Sequence, residues 1–142
     1  MDITAGVLPA IQTPLVNKFY QAHKARGKAT RHDQNWVLKS TEIVAACRVQ
    51  SVASSDFLST VLVDPKLRGR GLARQLLLAV LAQQYAPLYT FAYRHLAAFY
   101  AGLGFEVIQP EELPHALADK YHIYVAQGRQ ILAMQFIKPD QN

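Results

Sequence analysis

Residues 61–75 read VLVDPKLRGRGLARQ. The apolar run Val61-Leu62-Val63 stops at Asp64-Pro65, and an apolar helical pattern starts at Gly71. Between them Arg68 and Arg70 alternate with Gly69 and Gly71, and Arg74 follows. A strand ending here feeds the chain into the first turn of a helix, whose four leading amides have no partner inside the helix. The helix macrodipole adds about half a positive charge at that end, so the junction is suited to an anion. Glycines let an anion approach the backbone, and arginines add charge-assisted hydrogen bonds. The stretch therefore predicts a phosphate or pyrophosphate loop between a strand and a helix. It contains no G-x-x-x-x-G-K-[ST] and no G-x-G-x-x-G, which excludes a Walker-type loop and disfavours a dinucleotide fold.

Working outward, DITAGVL at the start reads as an edge strand. Ile11, Leu15, Phe19 and Ala22 recur at helical spacing, predicting a helix over 11–26 with that face inward. HKARGKATRHDQN is polar and basic and reads as a loop. WVLKSTEIVAACRVQSVA predicts a hairpin turning near Lys39 to Glu42, and DFLSTVLVD the next strand. Residues 71–85 predict a deeply buried helix with leucines on several sides, broken by Pro87. LYTFAY is a strand, and His95 to Leu103 a helix that Gly104 ends in a left-handed turn. FEVI is a strand, Leu113 to Tyr124 a helix stopped at Gly128, and ILAMQFI the last strand. The fold class is α/β: one mixed sheet, antiparallel in an N-terminal meander and parallel later, flanked by helices.

The 142 residues predict a single domain spanning 1–142. A chain of this length buries a core without disulfides. The one cysteine, Cys47, rules out a disulfide framework and a multi-cysteine metal site, and no metal is expected. Its context AACRV has no adjacent histidine to activate it, so it reads as a buried thiol. The start lacks the form of a signal peptide, and the longest apolar run, Leu76 to Ala82, is too short to span a bilayer. A cytoplasmic setting without membrane association is expected. The net charge of +5 is uneven: residues 1–75 hold eleven Lys and Arg against five Asp and Glu, and residues 76–142 four against five. Such asymmetry fits nucleic acid, an acidic metabolite or a phosphorylated cofactor. No zinc spacing, RNP-type aromatic block or recognition-helix pattern accompanies it, so nucleic acid is not expected.

Arg68-Gly69-Arg70-Gly71-Leu72-Ala73 resembles the Q/R-x-x-G-x-G/A acetyl-CoA signature of the GNAT superfamily of N-acetyltransferases. FYAGLGFEV, residues 99–107, is similar to the family's second block, L-Y-x-x-x-G-F. Both stand in order at the usual spacing, and the element order matches except over residues 1–35. The resemblance implies a GNAT-like sheet whose parallel strands splay at a cofactor cleft, with acetyl-CoA as co-substrate. It implies that the pyrophosphate lies on the amides of residues 69–73 and that the pantetheine arm pairs with the backbone of Val61 and Val63. It also implies that a backbone amide near Leu62 holds the oxyanion. Tyr100 matches the family's general acid, although its helical spacing also suits a core aromatic.

The sequence departs from the family at two points. Where many relatives carry an acidic base, the count falls on Phe57, with Asp56 beside it. Asp56 is the candidate base, and His23, His32 and Asp33 are alternatives. Tyr93 stands where many relatives carry Asn; it packs against the cofactor arm or fills core. A third feature, QPEELPHALADKYHIYVAQG, is a mostly helical segment before the last strand that lines the acceptor site or forms a dimer contact, with Tyr121, His122 and Tyr124 as candidates. Lys18, Lys24, Arg26, Lys28 and Arg31 lie in a stretch without an acid, which favours an anionic acceptor if it borders the cleft. The resulting expectation is direct transfer of an acetyl group to a primary amine of a small molecule or peptide, with a homodimer possible. The alternative is an acetyl-CoA-binding regulatory protein that transfers nothing.

Overall fold

The computed structural model describes residues 2–139. The elements follow in chain order: β1 (Thr4–Val7), α1 (Thr13–Ala22), β2 (Gln34–Lys39), β3 (Ile43–Val52), β4 (Ser55–Val63), α2 (Leu72–Ala82), β5 (Leu88–Tyr93), α3 (Ala97–Ala101), β6 (Glu106–Val107), α4 (His115–Ala126) and β7 (Ile131–Phe136). This is the element order expected from the sequence. The strands form a mixed sheet in the order β1-β2-β3-β4-β5-β7-β6, antiparallel with one parallel pair. The chain forms two compact units, one from residues up to 50 with 58–83, the other from 51–57 with residue 84 onward.

In the first unit β1 lies antiparallel to β2, with Thr4 opposite Lys39 and Val7 opposite Trp36. β2 lies antiparallel to β3, with Trp36 opposite Cys47 and Val37 opposite Ala46, and a register shift at Leu38/Lys39 beside the turn. Residues 35–38 are all buried, as in a strand covered on both faces. Both α1 and α2 contact β2. Val16, Phe19 and Tyr20 of α1 pack with Leu8, Ala29, Val37 and Ala46. Each fully buried apolar side chain of this kind contributes roughly 1.5–3 kcal/mol.

The α1 helix departs from the expected face and length. It ends at Ala22, and its buried residues are Thr13, Val16, Phe19 and Tyr20. Ile11 is 87% exposed and Leu15 50%. Two apolar stripes share Phe19, and packing against Val37 and Ala46 selects the one through Val16 and Tyr20. Burial in α2 is likewise one-sided: Leu72, Leu76, Leu77, Val80 and Leu81 are inside, whereas Leu78 is 45% exposed.

In the second unit β5 pairs antiparallel with β7, with Phe91 opposite Ala133, and β6 pairs antiparallel with β7. The sheet's one parallel pair agrees with the parallel strands expected from the sequence, and β5, β7 and β6 add no second one. β5 and β6, joined through α3, do run in the same direction, but β7 inserts between them. The expected helix over 95–103 is a 3₁₀ turn, Arg94–Leu96, followed by the five residues of α3. Gly104 (φ +103°) and Gly128 (φ +88°) stop α3 and α4 as expected. The unit's core joins Phe57, Ile108, Leu113, Leu117 and Ala133. The β3–β4 turn belongs to this unit. Its central residues Ala53 and Ser54 have φ of +48° and +70°, a twist that suits a two-residue hairpin although neither residue is glycine.

Candidate active site

The opening stretch folds as a strand, a turn and a helix within the first unit. Val61 to Val63 are half-buried at the end of β4. The Asp64 amide donates to the Val44 carbonyl at 2.9 Å, tying the strand end to β3. The Asp64 carboxylate accepts from the Lys66 amide at 3.0 Å and so starts a 3₁₀ turn, Pro65–Leu67. Arg68 is extended, and Gly69 and Gly71 take φ of +80° and +73°. Side-chain-bearing residues are strained in that region, so the glycines are a backbone requirement. A Cβ added to either would meet nothing within 4 Å. Their outer faces are open.

Gly71 is the N-cap of α2, has no side chain with which to cap it, and no acidic residue occupies the first turn. Arg68, Arg70 and Arg74 are exposed, and among the described residues no carboxylate pairs with them. Amides without a side-chain cap, a helix N-terminus, open space above two glycines and three unpaired guanidiniums all favour an anion. The loop fits the pyrophosphate expected from the sequence.

On the strand that leads into this loop, Thr60 belongs to a network that sequence reasoning missed. Thr60, inside β4 and just before Val61, has φ +55°, an outlier for a β-branched residue. Arg48 Nη1 donates to Thr60 Oγ1 at 3.4 Å, and Arg48 Nε to Asp33 Oδ2 at 3.0 Å. The Arg48 and Asp33 side chains are each only 8% exposed. Asp33 also accepts from the Thr30 amide at 2.9 Å. A Cβ on Gly27 would come within 3.0 Å of Arg48 Nη1, so glycine makes room for the guanidinium. The available signal was a charged residue inside the apolar run AACRV, because a buried charge demands a partner. Burial pushes the Tyr20 phenol well above its ordinary range; Cys47 and Asp33 add to this and Arg48 opposes it. Burial alone raises the Cys47 thiol, which keeps it protonated and unreactive.

The remaining candidates lie in the second unit, or are committed elsewhere. Tyr100 is buried on α3, with ring contacts to Phe99 at 5.2 Å and Phe105 at 5.5 Å. Asp56 Oδ2 accepts from Gln84 Nε2 at 2.7 Å, and Gln84 itself is buried. Tyr93, at the end of β5, is 40% exposed and stacks on His95 at 6.0 Å. Of the alternative bases, Asp33 is held by Arg48, His23 packs against Phe19 at 4.9 Å, and His32 is exposed. Among the described residues no three His, Cys, Asp or Glu side chains group as a metal site, and no helix is long and apolar enough to cross a membrane.

A family model described as an acetyltransferase (GNAT) domain matches residues 31–107, more than half of the chain. The protein belongs to the GNAT acetyltransferase family. No curated protein matches it by sequence. Its fold is similar to that of the ribosomal-protein-S18-alanine N-acetyltransferase from Escherichia coli, with a TM-score of 0.66 at 20% identity over 99% of this chain and 98% of that one. It is similar to Rv2747 from Mycobacterium tuberculosis, solved in complex with CoA, with a TM-score of 0.70 at 14% identity over 96% and 99%. It also resembles N-acetylglutamate synthase from Neisseria gonorrhoeae, solved with coenzyme A and N-acetyl-glutamate, with a TM-score of 0.69 at 13% identity over 96% of this chain. The chain spans about a third of the length of that synthase.

Proposed function

We propose that the protein moves an acetyl group from acetyl-CoA to a primary amine of a small molecule or peptide, by direct transfer in a ternary complex. The observation that best supports this reading is the loop at 68–71, where open glycines at positive φ lead into a helix N-terminus without a side-chain cap. In this reading the amides of Gly69 to Ala73 and the nearby arginines hold the pyrophosphate. The backbone of Val61 and Val63 pairs with the pantetheine arm, and Tyr93 packs beside it.

The chemistry then divides among few groups. The neutral amine nitrogen attacks the thioester carbon. The Leu62 amide donates to the oxyanion that forms. As the carbon–sulfur bond breaks, the Tyr100 hydroxyl gives its proton to the departing thiolate. Asp56 takes the proton released by the amine, with Oδ2 already engaged by Gln84.

That engagement, together with the pairing of Asp33 with Arg48, favours a second reading. In it the protein binds acetyl-CoA and regulates a partner without transfer. Changing Tyr100 to Phe separates the two. The transferase reading expects turnover with an accepted amine to fall by about 10²–10⁴-fold, with acetyl-CoA binding retained. Absence of acetyl transfer by the wild type across an amine panel, with acetyl-CoA bound, favours the regulatory reading.

A further inference from the structure

One cluster in the second unit has more positive charge than core packing explains. On α4, Leu117 is fully buried, and Lys120, Tyr121 and Tyr124 follow at helical spacing, all half-buried. A lysine on such a stripe is unusual, because lysine is seldom buried without a partner. The Phe91 ring of β5 receives three aromatic neighbours edge-on: Phe57 at 4.7 Å, Tyr121 at 5.3 Å and Tyr124 at 5.9 Å. Its register partner on β7 is the small Ala133.

Two cations gather on this aromatic wall. Lys120 Nζ lies 5.2 Å from the Tyr124 ring centroid and 5.6 Å from that of Phe57. The Arg129 guanidinium carbon lies 4.0 Å over the same Tyr124 ring. The chain turns through Gly128, and the Arg129 amide donates to the Tyr124 carbonyl at 3.2 Å, which holds the arginine in place. Among the described residues no carboxylate pairs with Lys120 or Arg129, and Arg129 Nε is enclosed without an acceptor. Asp119, the neighbouring acid on α4, pairs instead with the exposed His115. A single cation over a ring is ordinary packing. Two like charges sharing one ring with no counter-charge repel each other until an anion arrives.

We propose that this cluster is a binding subsite for a small molecule that bears a carboxylate on a flat, apolar body. The carboxylate pairs with Arg129 and Lys120, and the body packs on the wall formed by Phe91 and its aromatic neighbours. A monoanion is favoured over a phosphate dianion because Arg129 follows the C-terminal end of α4, where the macrodipole is negative. That the ligand is the amine acceptor rests on the transferase reading; that it binds does not.

The test is equilibrium binding by ligand-observed NMR on the full chain, with and without acetyl-CoA. The probes are L-phenylalanine and 2-phenylethylamine, which lacks the carboxylate, with inorganic phosphate as competitor. L-phenylalanine is expected to bind at least about tenfold more tightly than 2-phenylethylamine, and Arg129→Gln and Lys120→Met each to weaken it about tenfold, as loss of a charge-assisted bond does. Circular dichroism and a cooperative thermal unfolding transition of each variant report that it is folded; if Arg129→Gln does not fold, Lys120→Met carries the test. Equal affinity for the two probes, no binding of L-phenylalanine, unchanged binding in the charge variants or stronger binding of phosphate each overturns the proposal. Charge-dependent binding of L-phenylalanine without any acetyl-CoA binding leaves the subsite standing and removes the transferase reading.

Discussion

Replacing Gly71 with alanine tests the anion loop through a change of one methyl group. The residue sits at φ +73°, ψ +18°, and a Cβ there touches nothing within 4 Å. The cost to the folded protein is then conformational alone, about 1–2 kcal/mol for a left-handed alanine. Gly128 supplies the control: φ is +88°, its Cβ would also meet nothing, and it caps α4 far along the sequence from the loop. Gly71→Ala and Gly128→Ala are therefore expected to lose similar stability in urea titrations. They diverge with acetyl-CoA. A ligand at 100 times its dissociation constant stabilises by about 2.7 kcal/mol, and a tenfold loss of affinity reduces that to about 1.4 kcal/mol. Gly128→Ala keeps the full increment, whereas Gly71→Ala loses half of it or more, because its methyl occupies the space over the helix amides. Equal increments in the two variants would refute the assignment of the loop.

Two further predictions concern buried groups of the first unit. Arg48→Met leaves Asp33 in the core without its cation and is expected to cost about 3 kcal/mol, with Asp33→Leu in the same chain restoring part of the loss; a cost below about 1 kcal/mol by urea denaturation would show that the ion pair does not organise this region. Because burial raises its pKa, Cys47 stays a neutral thiol at pH 7–8, so a disulfide reagent is expected to label it only on unfolding, and rapid labelling of the native protein would contradict its burial.

Much of the fold is legible in the sequence because local signals coincide with tertiary ones. LYTFAY is bounded by Pro87 and by the turn after Tyr93, and it forms β5 over that same span. Gly104 and Gly128 stop their helices because each must take a positive φ. The inward face of α1 was not legible, since Ile11 and Leu15 share their spacing with Val16 and Tyr20 and only the packed partners choose between them. The insertion of β7 between β5 and β6 is a long-range pairing that no local pattern encodes. In the site, the arginines and glycines announce the loop. The strained Thr60 is invisible because its conformation is imposed by its surroundings rather than by its residue type. Tyr100 is a candidate from a motif position and Asp56 only as the neighbour of one, Phe57, and the Gln84 bond to Asp56 had no sequence signal at all.

The division of β4 between the two units has a consequence for how the protein is made. Phe57 belongs to a core completed by Ile108, Leu113 and Leu117, residues synthesised much later. At roughly 5–20 residues per second, the hairpin tip emerges from the ribosome several seconds before Leu117. During that interval the first unit has most of its strands in hand while Phe57 and Val52 at the tip have nothing to cover them. A nascent chain stalled near Gln83 thus displays a sticky apolar hairpin, a natural target for a chaperone, and trimming the gene at that boundary yields an aggregating fragment rather than a smaller domain.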